Sequence, residues 1–123
     1  MSQERRRFTR ISFSGKCTIK DGETHIQAAL LDISLRGALL QLPDNDVFEQ
    51  NKPCELEIII NEAPRVALYL QAEMVHRQAE RVGMYFKTTD IDSLTHLRRL
   101  IELNMGDADK TLQELFLWSE APA

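Results

Sequence analysis

The sequence predicts a mainly β domain, a small antiparallel barrel or sandwich of six strands followed by one or two helices. Three observations carry this. Apolar residues recur at period two in six short runs over the first 88 residues. Turn-forming residues separate those runs. At Thr89 the period changes to that of a helix. No helical pattern interrupts the first 88 residues, which disfavours alternating βαβ units.

Residues 1–10, "MSQERRRFTR", lack apolar periodicity and are expected to form a flexible, arginine-rich arm. The domain proper is expected to span 11–123. Its first strand starts at Ile11, with Phe13, Cys17 and Ile19 on one face and Ser12, Lys16, Thr18 and Lys20 on the other. Gly15 shifts the phase, as a bulge does. Asp21-Gly22 is a strong hairpin signal. "THIQAALLDI" is a second strand, Ser34–Gly37 a break, and "ALLQL" a third strand. "PDNDVFEQNKP" (Pro43–Pro53) is polar and turn-rich, so it reads as a long surface loop. "CELEIII" has strand composition, "NEAPR" turns the chain, and Val66–Gln78 is long enough for a strand with a bend. "RVGMYFK" (Arg81–Lys87) is the sixth strand.

Asp92 or Ser93 can then cap a helix over about 92–105. Leu94, Leu97, Leu100 and Ile101 make its apolar stripe, which has to cover one opening or side of the sheet. Asn104 and Gly106 supply a stop. A second short helix is expected at 107–118 around Leu112, Leu115 and Phe116.

At 123 residues and 43% hydrophobic content the chain can bury one core without disulfides or metal. No apolar run is long enough for a membrane span, so no membrane insertion is expected. The N-terminus has no apolar segment of the secretory kind, which makes the cytoplasm the default. Cys17 and Cys54 are too few for a zinc site and read as buried small hydrophobes.

The net charge of −4 argues against a general DNA or RNA binder. It is unevenly spread. Residues 1–10 hold four Arg and one Glu, +3, leaving 11 basic and 18 acidic residues elsewhere, −7. His25, His76 and His96 lack the short spacing of metal ligands, and no glycine-rich phosphate loop is present. Nothing points to catalytic residues, a metal or a cofactor.

Two stretches remain. Asp32-Ile33-Ser34-Leu35-Arg36-Gly37 has the residues that a turn between strands selects, because Asp and Ser bond nearby amides and Gly relaxes the backbone. Arg5-Arg6-Arg7-Phe8-Thr9-Arg10 reads alone as a solubilising or anion-binding tail. Phe8, Ile11 and Phe13 nevertheless tie this tail to the body.

Together the two stretches resemble the PilZ domain, a family that binds the bacterial second messenger cyclic di-GMP. Arg6 to Arg10 matches its RxxxR element, and Asp32 to Gly37 matches its D/N-x-S-x-x-G element in the expected order and distance. The resemblance covers about the whole chain. It implies a six-stranded antiparallel split β-barrel and a non-enzymatic receptor or adaptor that signals through an unidentified effector protein. The ligand residues it implies are Arg5, Arg6, Arg10, Asp32, Ser34 and Gly37. Arg7, Arg36 and Arg77 are further candidates, the last two without a motif match. No tryptophan near Met74–Arg77 offers itself for stacking on guanine.

The chemistry fits such a ligand. The planar fork of Arg binds phosphate oxygens or the O6/N7 edge of guanine, and it stacks on base faces. A carboxylate such as Asp32 suits the adjacent N1–H and N2–H donors of guanine. The alternatives are a basic-armed barrel that binds nucleic acid, with steep salt dependence, and a ligand-free scaffold of the same fold that binds protein.

Overall fold

The computed structural model describes residues 8–43 and 52–105. Six strands form, β1 (Ile11–Asp21), β2 (Thr24–Ile33), β3 (Gly37–Gln41), β4 (Pro53–Glu62), β5 (Arg65–Gln78) and β6 (Arg81–Thr89). One helix follows, α1 (Ile91–Met105). The strands close into an antiparallel barrel in the order β1-β2-β3-β6-β5-β4. Closure leaves no unpaired sheet edge, and the period-two sequences follow from it. Cys17, Ile19, Ile33, Leu40, Leu56, Ile58, Leu70, Met74 and Phe86 all point into one core, and their neighbours face outward.

Local chemistry sets the hairpins. Asp21 pairs with Thr24, so the first loop is Gly22-Glu23, with Gly22 at φ 63° in its first position. The hairpin signal was therefore sound, but the turn sits one residue later than Asp21-Gly22. Glu62 pairs with Arg65 around Ala63-Pro64, a cis peptide. The register of β1 on β2 shifts between Ser12 and Gly15, where the sequence places a bulge. β5 shifts twice against β6, at Gln71/Ala72 and Met74/His76, which bends this 14-residue strand around the barrel.

Helix α1 lies on β5 and touches β1. Leu97 and Ile101 are fully buried, and Leu100 packs against the core from its rim. Burying Leu97 and Ile101 contributes about 1.5–3 kcal/mol each. The cap differs from the expectation of Asp92 or Ser93. Asp90 caps the helix, its carboxylate accepting the Ser93 N–H at 2.6 Å. Ser93 lies inside the first turn, buried, where its hydroxyl accepts the Tyr69 N–H of β5 at 2.9 Å. That bond, with Thr89 Oγ1 donating to the Tyr69 carbonyl at 2.8 Å, fixes the start of the helix to the barrel wall.

Cys17 and Cys54 are free and buried. Burial pushes both thiols up to about 12. The proposed second helix at 107–118, the body of the 43–53 loop, and Arg5, Arg6 and Arg7 lie outside the described residues.

Candidate functional site

The β1–β2 pairing brings the two sequence stretches together. Ile11 pairs with Ile33 and Ser12 with Asp32, so Arg10, just before β1, lies beside the break that follows β2. Phe8 is buried in the core cluster, which seats the described end of the arm at this point. Arg10 is exposed, and its charge acts on the Asp32 carboxyl.

Asp32 is poised unusually. Oδ1 is buried and has no hydrogen-bond partner among the described residues. Burial raises the carboxyl above its ordinary range, opposed by Arg10 and by the backbone N–H of Leu39, the cross-strand partner. A carboxylate oxygen left dry and unsatisfied is costly. Such an atom needs a donor.

Ser34 is the tie of the turn. Its Oγ accepts the N–H groups of Arg36 at 3.2 Å and Gly37 at 3.1 Å, while its own N–H donates to the Gly37 carbonyl at 2.8 Å. The hydroxyl is thus occupied by the backbone. Gly37 serves a close approach of strands. A Cβ there would lie 2.5 Å from the Met84 carbonyl oxygen of β6, so β3 and β6 pack as they do only without a side chain. The family resemblance implies Gly37 as a ligand residue. What it meets here is β6.

Arg36 is buried, with 5% of its surface exposed. Its carbonyl accepts the Phe86 N–H at 2.8 Å, and its guanidinium lies 4.7 Å from the centroid of the Tyr85 ring. No sequence signal pairs these two, although Tyr85 could be placed on the outward face of β6 between the inward Met84 and Phe86. Arg77 is elsewhere. It pairs with Val82, which pairs with Leu40 at the opposite end of β3 from Gly37, and its Nε donates to the Ala79 carbonyl at 2.9 Å. There it braces the β5–β6 turn around Ala79, at φ 56°.

Strand register thus brings Arg10 and the Asp32–Gly37 break to the same end of the barrel. A family model for the PilZ domain matches residues 4–103, which include both motifs. The chain belongs to the PilZ family.

Solved PilZ structures share its architecture. The PilZ domain of Escherichia coli YcgR, solved with c-di-GMP, superposes with a TM-score of 0.68 at 18% identity, covering 89% of this chain and 98% of that one. The Bacillus subtilis inhibitor of motility MotI/DgrA gives 0.68 at 16% identity, covering 87% of this chain and 57% of the inhibitor's length. The PilZ domain of CeSA from a cellulose-synthesizing bacterium gives 0.59 at 16% identity, covering 80% and 96%. At these identities the likeness is one of fold.

Two other features set bounds on this PilZ domain. An open depression lined by Lys20, Gly22, His25, Cys54, Glu55 and Gln71 lies at the far end of β1 from Asp32 and contains no motif residue. Among the described residues no group of three His, Cys, Asp or Glu is placed to hold a metal ion, and no helix is long and apolar enough to cross a membrane.

Proposed function

We propose that this chain is a non-enzymatic receptor for cyclic di-GMP and passes the signal to a protein partner. The observation that carries this is Asp32. Its buried Oδ1 lacks a hydrogen-bond donor, and strand register sets it beside Arg10 at the end of the RxxxR element. Guanine supplies the missing donors through N1–H and N2–H, and a phosphate gives Arg10 a fixed anionic partner. Arg5 and Arg6 complete the arm of the proposed site, with Arg7 a further candidate, while Ser34 and Gly37 act by shaping its wall.

The break is tied by its own hydrogen bonds, so the response is assigned to the contact between ligand and the arginines of the RxxxR element, which changes the surface that an effector reads. An acidic body with one basic arm favours a small dianion over bulk nucleic acid.

Calorimetric titration with cyclic di-GMP tests the reading, with cyclic di-AMP, GTP and a short DNA duplex as controls. Saturable binding of cyclic di-GMP alone, weakened by roughly ten- to a hundredfold in Arg10→Ala, supports it. Equal binding of all four, or binding untouched by Arg10→Ala, rejects it.

A further inference from the structure

We infer that a guanine of the ligand lies flat over Gly83, with its N1–H and N2–H edge on Asp32 and the imidazole of His76 stacked on its outer face. This rests on the cyclic di-GMP reading above and adds to that site two residues of the β5–β6 hairpin.

Strand register sets four positions in one row across the barrel wall. Asp32 of β2 pairs with Leu39 of β3, Leu39 with Gly83 of β6, and Gly83 with His76 of β5. The flanking residues Ile33, Ala38, Leu40, Val82 and Met84 are buried, so Asp32, Leu39 and Gly83 face outward. His76, at the end of the row, is exposed. Neighbouring strands stand about 4.8 Å apart, which puts Gly83 about 10 Å from Asp32 and His76 about 5 Å beyond it. A base whose edge meets the Asp32 carboxylate therefore covers Leu39 and Gly83 and ends beside His76.

Two features of this row go beyond what the barrel needs. Alternation along β5 buries Ala72 and Met74 and would turn His76 inward next, but the irregularity between Met74 and His76 turns it out. Gly83, in turn, is a glycine that packing does not demand. Its φ is not positive, and a Cβ there would meet only the His76 Cβ at 3.4 Å and the His76 carbonyl oxygen at 4.0 Å, both ordinary contacts. Gly37 differs, since its Cβ would strike a backbone oxygen at 2.5 Å. Glycine weakens a strand, and where the fold does not require it, it marks a place where a ligand comes close to the backbone. The nearest atom to that open space is the His76 Cβ, so the imidazole rises from its rim. Histidine is one of the rings on which unpaired bases stack.

The test is calorimetric affinity for cyclic di-GMP, with the melting temperature of each ligand-free protein, for Gly83→Ala, Gly83→Val, His76→Ala and His76→Phe. Both Gly83 variants put a side chain where the base lies, in space the fold leaves open. The ligand-free proteins should melt at or above the wild-type temperature, while binding weakens roughly tenfold for Ala and further for Val. His76→Ala removes the stacking ring and should weaken binding roughly five- to a hundredfold, whereas His76→Phe keeps a ring and should stay within about threefold of the wild type. Wild-type affinity in His76→Ala or Gly83→Val overturns the inference and leaves the receptor reading standing. So does an equal loss in His76→Ala and His76→Phe, or a Gly83→Ala protein that melts well below the wild type, which would show that the glycine serves the barrel. A wild-type protein that does not bind cyclic di-GMP overturns both.

Discussion

Gly37→Ala separates a structural glycine from a ligand-binding one. The new Cβ would stand 2.5 Å from the Met84 carbonyl oxygen, where ordinary contact begins at 3.4 Å. The obstacle is backbone, so no side-chain rotation relieves it. β3 and β6 must move apart by about 0.9 Å, the difference of those distances. That movement would take the 2.8 Å bond from the Phe86 N–H to the Arg36 carbonyl beyond hydrogen-bond range. It would also disturb the bonds that Ser34 makes to Gly37. Overpacking costs about 1–3 kcal/mol, and one lost hydrogen bond about 0.5–1.5 kcal/mol. The expected destabilisation is about 2–4 kcal/mol, or about 6–20 °C in Tm for a domain of this size. Urea unfolding of the ligand-free protein, followed by circular dichroism, measures it. A variant within about 0.5 kcal/mol of the wild type refutes the strand-approach account. If such a stable variant also loses cyclic di-GMP, the glycine serves the ligand instead.

Three further outcomes follow from the same geometry. Ser93→Ala strands the Tyr69 N–H between helix and barrel and should cost about 1–3 kcal/mol in urea unfolding, whereas Ser93→Thr should retain much of that bond. Asp32→Asn removes a carboxylate that burial disfavours, so the ligand-free variant should melt at or above the wild-type temperature at neutral pH. Because the folded-state pKa of Asp32 is raised, that difference should shrink as acid protonates the wild-type carboxyl, and a variant markedly less stable at pH 7 would contradict the assignment. The thiols of Cys17 and Cys54 are raised from 9.0 to about 12, so their contribution to stability is complete below pH 9 and is lost as pH rises towards 12. Both should resist Ellman's reagent at pH 8 until the protein unfolds, and rapid labelling of the folded protein would show the burial to be wrong.

Much of the barrel was legible because each strand carries its own signal. The inward row of "CELEIII" and the outward Glu55 and Glu57 follow from alternation alone. The Gly15 irregularity and the Gly22 hairpin were legible too, since glycine marks both locally. Pairings of β3 with β6 and β1 with β4 were not, because they join residues far apart in sequence with no shared local mark. The helix cap was misplaced for a related reason. Asp90, Asp92 and Ser93 are all good caps, and the choice falls to Asp90 because Ser93 is needed by Tyr69.

In the site, the Asp32–Gly37 break was readable as a turn and as a motif, and the turn is what its hydrogen bonds show. The Ser34 hydroxyl ties the backbone, and Gly37 admits β6. Asp32 Oδ1 is a buried acceptor with no hydrogen-bond donor among the described residues. The contact of Arg36 with Tyr85 depends on barrel closure and had no counterpart in sequence spacing.

The most direct test of a cyclic di-GMP site at this end of the barrel is an amide NMR titration of the whole chain with the dinucleotide. The account predicts saturable shifts concentrated at Arg10, Asp32–Ala38 and Tyr85–Phe86, with little change at Lys20, His25 and Gln71 around the far depression. Shifts centred on that depression, or no saturable shift at all, would contradict it.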